Sequence, residues 1–142
     1  MLSTPTSRRR LVAATIAAIL IPIGIAWRMA PLHLPPFLYK YGGSVLWAAM
    51  VYWLVAALLP RQHPIPVAAT AATVAILVEF SRLFHAPALD AFRLTLAGKL
   101  ILGRFFSVRD IAAYWLAIAA AAFTDWGWIQ PKYAPPSSRN RS

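Results

Sequence analysis

The 142-residue sequence contains no cysteine, and only four of its residues are acidic. Without cysteine the chain can form no disulfide, no thiolate metal site and no cysteine nucleophile. It also lacks a zincin motif, a phosphate-binding loop, a Gly-x-Ser-x-Gly elbow and a dinucleotide fingerprint, the usual marks of a soluble enzyme. The 14 Lys and Arg give a formal charge of +10, which in a soluble chain would point to nucleic acid. No zinc-finger spacing, RNP-like motif or helix-turn-helix pattern accompanies it, so no nucleic-acid partner is expected. His33, His63 and His85 lie far apart, each within two residues of a proline, and neither a metal site nor a cofactor is expected.

What the chain has in excess is hydrocarbon. Sixty per cent of its residues are hydrophobic, against roughly 45–50% in soluble domains. The basic residues gather at the edges of apolar runs, where they meet anionic headgroups and orient helices. Between Arg10 and Arg28 lie the uncharged residues Leu11 to Trp27, about 25 Å of helix and just enough for a thin bilayer. Pro22 and Gly24 are positions where this helix could kink. The segment imitates an export leader, with Ser7-Arg8-Arg9-Arg10-Leu11-Val12 resembling a twin-arginine pattern. Because the remainder is as hydrophobic as the leader, an uncleaved first helix is the simpler account.

Pro31, Pro35 and Pro36 predict a stiff loop, and Tyr41 to Pro60 gives a second apolar run, with Tyr39 and Tyr41 suited to the interface. Arg61 to Pro66 reads as a turn, and a third run ends in Glu79. Its alanine pairs 68/72 and 71/75 would let helices approach closely. A fourth run, Ile111 to Thr124, lies between Asp110 and Asp125. The expected fold is all-α: a polytopic membrane bundle with spans near 11–27, 43–60, 66–82 and 109–126, one membrane domain over 11–128. A basic cytoplasmic N-terminus (1–10) precedes it and a polar, disordered tail (129–142) follows. The stretch from Arg82 to Arg109 is too charged to face lipid and too apolar for a solvated loop, so a re-entrant or interfacial helix is expected near 88–106, with a fifth span as its rival. Four spans put both termini on one side, and their basic flanks favour the cytoplasm. Counting every cation gives seven on each side, so the rule decides only if the 82–109 region is sequestered.

Ionised groups at membrane depth are costly unless paired or hydrated, which makes them functional candidates. Arg82 follows Glu79 by three residues and Arg93 follows Asp90 by three, so each pair shares a helix face, as do Asp110 and Tyr114 at a spacing of four. The candidate polar cluster is Glu79, Arg82, Asp90, Arg93, Arg104, Arg109, Asp110 and Tyr114, with Gly98 and Gly103 as backbone or packing glycines. The plain alternative for Glu79 and Asp110 is an ion pair with arginine that docks two helices, and for the arginines it is snorkelling to headgroups. Ser81, His85 and Asp90 faintly resemble a triad, a spacing that is cheap to obtain by chance. No residue is assigned a catalytic role.

Glu79-Phe80-Ser81-Arg82, Leu89-Asp90-Ala91-Phe92-Arg93, Gly103-Arg104-Phe105-Phe106 and Asp110 to Tyr114 at the head of an alanine-rich last helix together resemble the VanZ-like small membrane proteins. They are more closely similar to a related group called domain of unknown function 2809 (DUF2809). The resemblance covers roughly residues 25 to 122. It implies a four-helix membrane fold without an assigned reaction. Arg82 and Tyr114 stand where glutamine is usual in the family and where VanZ has asparagine, so no link to glycopeptide resistance is carried over. The resulting expectation is a non-enzymatic, multi-pass protein of a bacterial inner membrane whose polar cluster contacts anionic lipid headgroups or an envelope lipid intermediate. The alternatives are a proton-coupled transporter using Glu79 or Asp110, and an assembly subunit whose partner is another membrane protein or a second copy of the chain.

Overall fold

The structure, a computed structural model, describes residues 5–102 and 107–129. Among these residues every regular element is a helix: α1 (Pro5–Met29), α2 (Pro36–Leu58), α3 (Pro64–Ser81), α4 (Pro87–Leu94), α5 (Leu96–Ile101) and α6 (Val108–Ile129). α1, α2 and α3 are each long and apolar enough to cross a bilayer. Short links make consecutive long helices antiparallel, and the chain is a helical membrane bundle. α6, with 22 residues, is about 33 Å long but carries Arg109, Asp110 and Asp125, and is not among the three apolar helices.

The helices run past the apolar windows of the sequence, for a local reason. Pro36 and Pro64 sit in the first turns of α2 and α3, where a missing amide hydrogen costs nothing and a fixed φ favours the helix. Residues that read as breakers are therefore helix starts. α1 likewise begins at Pro5, takes in Arg8, Arg9 and Arg10, and continues through Pro22. In the α1–α2 link His33 adopts a left-handed φ of 48°, uncommon for a residue with a Cβ.

α2 is the central helix, packed against α1, α3 and α6, while α3 also packs on α6. Its buried residues Ala48, Val51, Tyr52, Trp53, Val55 and Ala56 occupy more than one face, as a helix with neighbours on several sides requires. α1 buries only Ala13 and Ala17, small residues that permit close backbone approach, and leaves most of its apolar surface open. At its far end Trp27 lies against Gly42, where a Cβ would stand 2.4 Å from the indole ring. The indole Nε1 donates to the Tyr39 carbonyl at 3.1 Å and the Tyr39 hydroxyl donates to the Arg28 carbonyl at 2.7 Å, which stitches the α1–α2 corner.

α3 buries Pro64, Val67, Ala71, Ala75 and Glu79, a single stripe at helical spacing that carries a carboxylate inward at its end. α6 does the same twice: Asp110, Ala113, Tyr114, Ala117, Ile118, Ala121 and Asp125 are all buried. The two aspartates are 15 residues apart, about four turns, and so share a face at opposite ends. The bundle therefore has one acidic stripe end near the α3–α6 rim and another near the N-terminal rim.

Up to residue 102, where the description breaks off, the helix expected near 88–106 is present as two short ones. Thr95 has an extended backbone (ψ 160°), and its hydroxyl accepts from the Gly98 N–H at 3.0 Å while donating to the Phe92 carbonyl at 2.6 Å. That ends α4 and caps α5. The elbow is tight: a Cβ on Gly98 would lie 1.9 Å from the Phe92 carbonyl oxygen, so any side chain there would part α4 from α5. Gly103, Arg104 and the tail beyond residue 129 lie outside the described residues.

Candidate functional site

Because the α3 stripe ends in Glu79 and the α6 stripe begins with Asp110, packing α3 on α6 brings two carboxylates into the interior together. Glu79 is fully buried and Asp110 nearly so. Arg82, one turn after Glu79, folds back between them, with Nη1 2.7 Å from Glu79 Oε2 and 3.5 Å from Asp110 Oδ2. Its Nη2 donates to the Tyr114 hydroxyl at 3.1 Å and its Nε donates to the Leu102 carbonyl. The Tyr114 hydroxyl in turn donates to Glu79 Oε2 at 3.0 Å, and the Ser107 amide donates to Oε1 at 2.7 Å. One guanidinium thus ties α3, α6 and the end of α5 into a buried network, with the Trp47 ring of α2 tilted against the Tyr114 ring at 5.3 Å.

Among the described residues, two carboxylates and one guanidinium give this cluster one formal negative charge. Glu79 is saturated with donors. Asp110 is not, since its Oδ1 is buried without a hydrogen-bond partner among the described residues. It is the least satisfied of the four acids.

Asp90 and Arg93 pair at 2.9 Å, and they form a separate unit. The Arg93 side chain is buried and turned toward the end of α3, where it donates to the Phe84 carbonyl at 2.9 Å and to the Ser81 carbonyl. An arginine across the last carbonyls of a helix satisfies acceptors that the helix itself cannot. Arg93 therefore anchors α4 under α3 and does not reach outward. Arg109 is exposed at the head of α6. Of the eight candidate residues, the structure brings Glu79, Arg82, Asp110 and Tyr114 together, sets Asp90 with Arg93 beside them, and leaves Arg109 apart; Arg104 is not described. The Ser81 hydroxyl donates to the Val78 carbonyl at 2.6 Å, while the exposed His85 lies 3.5 Å from Asp90, so these three residues do not form a relay.

A second network escaped the sequence reading. Arg9 grips Asp125 with two parallel bonds, Nε to Oδ1 at 3.2 Å and Nη2 to Oδ2 at 2.6 Å. The Tyr52 hydroxyl donates to the same Oδ2 at 2.8 Å. Arg9 Nη1 also donates to the carbonyls of Pro60, at 3.0 Å, and Gln62, and His63 meets the Trp126 ring edge-on at 4.6 Å. α1, α2, α6 and the α2–α3 turn are joined here. Asp125 could have been singled out from its spacing to Asp110, but nothing local announces a partner 116 positions earlier.

Comparison with known families matches residues 33–118, more than half of the chain, to the family described as Protein of unknown function (DUF2809). The match agrees with the narrower of the two resemblances read from the motifs. No solved structure matches the chain.

Proposed function

Because the chain belongs to the DUF2809 family, whose description assigns no reaction, its activity has to be read from its own geometry, and we propose that it is a non-enzymatic bacterial inner-membrane protein whose basic rims hold anionic lipid headgroups. α6 serves as its fourth span, and both termini lie in the cytoplasm. The observation that carries this reading is the fate of the acids. All four are engaged by three arginines: Asp125 by Arg9, Glu79 and Asp110 by Arg82, and Asp90 by Arg93. Arg8, Arg10 and Arg61 at one rim, and Arg28, Lys40, Lys99 and Arg109 at the other, are exposed, and no acidic side chain is left to neutralise them.

Uncompensated cations at both ends of an apolar bundle suit the phosphates of two leaflets. The cluster that the sequence offered as the lipid contact is instead read as the brace of the bundle, and the contact moves to the rims. A non-enzymatic role is supported by the arrangement of the polar groups, most of which pair with one another or with backbone carbonyls. The test is the lipid that remains with the purified chain. Anionic lipid should be enriched over its share of the source membrane, and the enrichment should fall with added salt; a retained fraction equal to the bulk composition contradicts the proposal.

Asp110 favours a second reading, a small proton-coupled carrier, because a buried carboxylate oxygen with no partner among the described residues is, at membrane depth, a place for a transient donor. In sealed vesicles this reading requires a pH-driven flux that Asp110→Asn removes. Absence of flux in the unaltered protein would dismiss it.

A further inference from the structure

Arg28 closes α1 at the rim that also holds α5, and one of its terminal nitrogens lies 3.4 Å from the Lys99 carbonyl oxygen. The residue springs from the stitched corner: its own carbonyl accepts from the Tyr39 hydroxyl, and the neighbouring Trp27 is seated on Gly42 and bonded to Tyr39. The other terminal nitrogen lies over Gly43, 3.6 Å from where a Cβ would stand. Of five guanidinium donors, a single long hydrogen bond among the described residues engages one. The Lys99 side chain is exposed on α5 and Lys40 is exposed one turn before Gly43 on α2. No acidic side chain competes, since Glu79 and Asp110 are held by Arg82, Asp90 by Arg93, and Asp125 by Arg9 at the opposite rim.

The surroundings point to the class of acceptor. Trp27, Tyr39 and Tyr41 cluster at this corner, and such amphipathic rings lie at headgroup level in membrane proteins. Phe37 and Leu96 are large apolar side chains left exposed beside the cations. A group that is anionic at one end and hydrocarbon at the other matches both features, whereas a free anion would match only the first.

We propose that the junction between the α1–α2 corner and α5, centred on Arg28 and Lys99, binds the phosphate of an anionic lipid. The inference rests on the lipid-contact reading above and gives that contact a location. Arg28 supplies paired N–H donors to two phosphate oxygens, and Lys99 supplies a second positive charge from α5. Binding there would also fasten α5 to the end of α1.

The experiment titrates the full detergent-solubilised chain with phosphatidylglycerol and, separately, with phosphatidylcholine, and asks whether inorganic phosphate competes. Arg28→Ala and Lys99→Ala should each weaken phosphatidylglycerol binding about fivefold, with Arg28→Lys in between, while Arg61→Ala at the other rim leaves the tightest binding step unchanged. Melting in phosphatidylcholine should be the same for all variants, since these side chains are exposed. If Arg61→Ala weakens that step as much as Arg28→Ala, or the Arg28→Ala/Lys99→Ala double variant binds normally, the site is overturned while the general lipid reading stands. Competition by inorganic phosphate as effective as the lipid itself overturns the lipid assignment. No preference for phosphatidylglycerol over phosphatidylcholine in the unaltered chain removes both.

Discussion

Arg82→Gln is expected to destabilise the bundle by about 3–5 kcal/mol, the range found when one member of a buried ion pair is removed. The substitution takes the cluster from one formal negative charge to two, in an interior where Glu79 is fully buried and Asp110 nearly so. Glutamine can still reach a hydroxyl or a carbonyl, but it cannot bridge Glu79 and Asp110, which Arg82 Nη1 meets at 2.7 and 3.5 Å. Adding Asp110→Asn returns the cluster to one negative charge, so the double variant should recover a large part of the loss, a coupling that a double-mutant cycle isolates. The measurement is thermal unfolding in detergent alongside the amount of chain that accumulates in the membrane. If Arg82→Gln melts where the unaltered protein does, the network does not brace α3 on α6.

Asp125→Ala should be comparably severe, but at the other end of the molecule. Asp125 is the shared acceptor of Arg9 and Tyr52. Removing it leaves a guanidinium that is only 12% exposed without a counterion, and a fully buried tyrosine hydroxyl without a partner. A loss of about 3–5 kcal/mol follows from the orphaned cation. Its location is the more specific prediction. α1 is held to the bundle mainly through α2, so losing Asp125 should free the first turns of α1 for proteolysis while α2, α3 and α6 stay protected. Asp125→Asn keeps an acceptor for Tyr52 and should be milder. Equal protease resistance of Asp125→Ala and the unaltered chain would show that Arg9 adds nothing to the docking of α1.

What the sequence made legible was whatever depends on short-range spacing. Apolar run length located α1, α2 and α3, and the three-residue spacing of Glu79 with Arg82 and of Asp90 with Arg93 marked two ion pairs that the structure contains. Helix starts were harder to read, because proline excludes itself from a helix interior but not from a first turn, so Pro36 and Pro64 looked like loop residues. The break at Thr95 depends on a hydroxyl reaching one amide three residues on, a competition that composition does not settle. Arg93 could not be distinguished from a snorkelling arginine, since its role comes from carbonyls left open at the end of another helix. Least visible of all was the Arg9, Tyr52 and Asp125 network, in which three helices contribute one group each and tertiary packing alone makes them neighbours.

The arrangement has a simple electrostatic logic. Glu79, Asp110 and Asp125 are carried inward by the same stripes that bury alanine, Asp90 stays half exposed on α4, and each is met by an arginine. The other cations among the described residues lie at the two rims. That logic holds only if the two rims face water on opposite sides of a bilayer. The direct test uses single cysteines, introduced into a chain that has none, at Ser7, Leu34, His63 and Ala88, and labelled by a membrane-impermeant reagent in intact and opened cells. Ser7 and His63 should label from one side and Leu34 and Ala88 from the other. Labelling of Leu34 and His63 from the same side would mean that α2 does not cross the membrane, and would contradict the account.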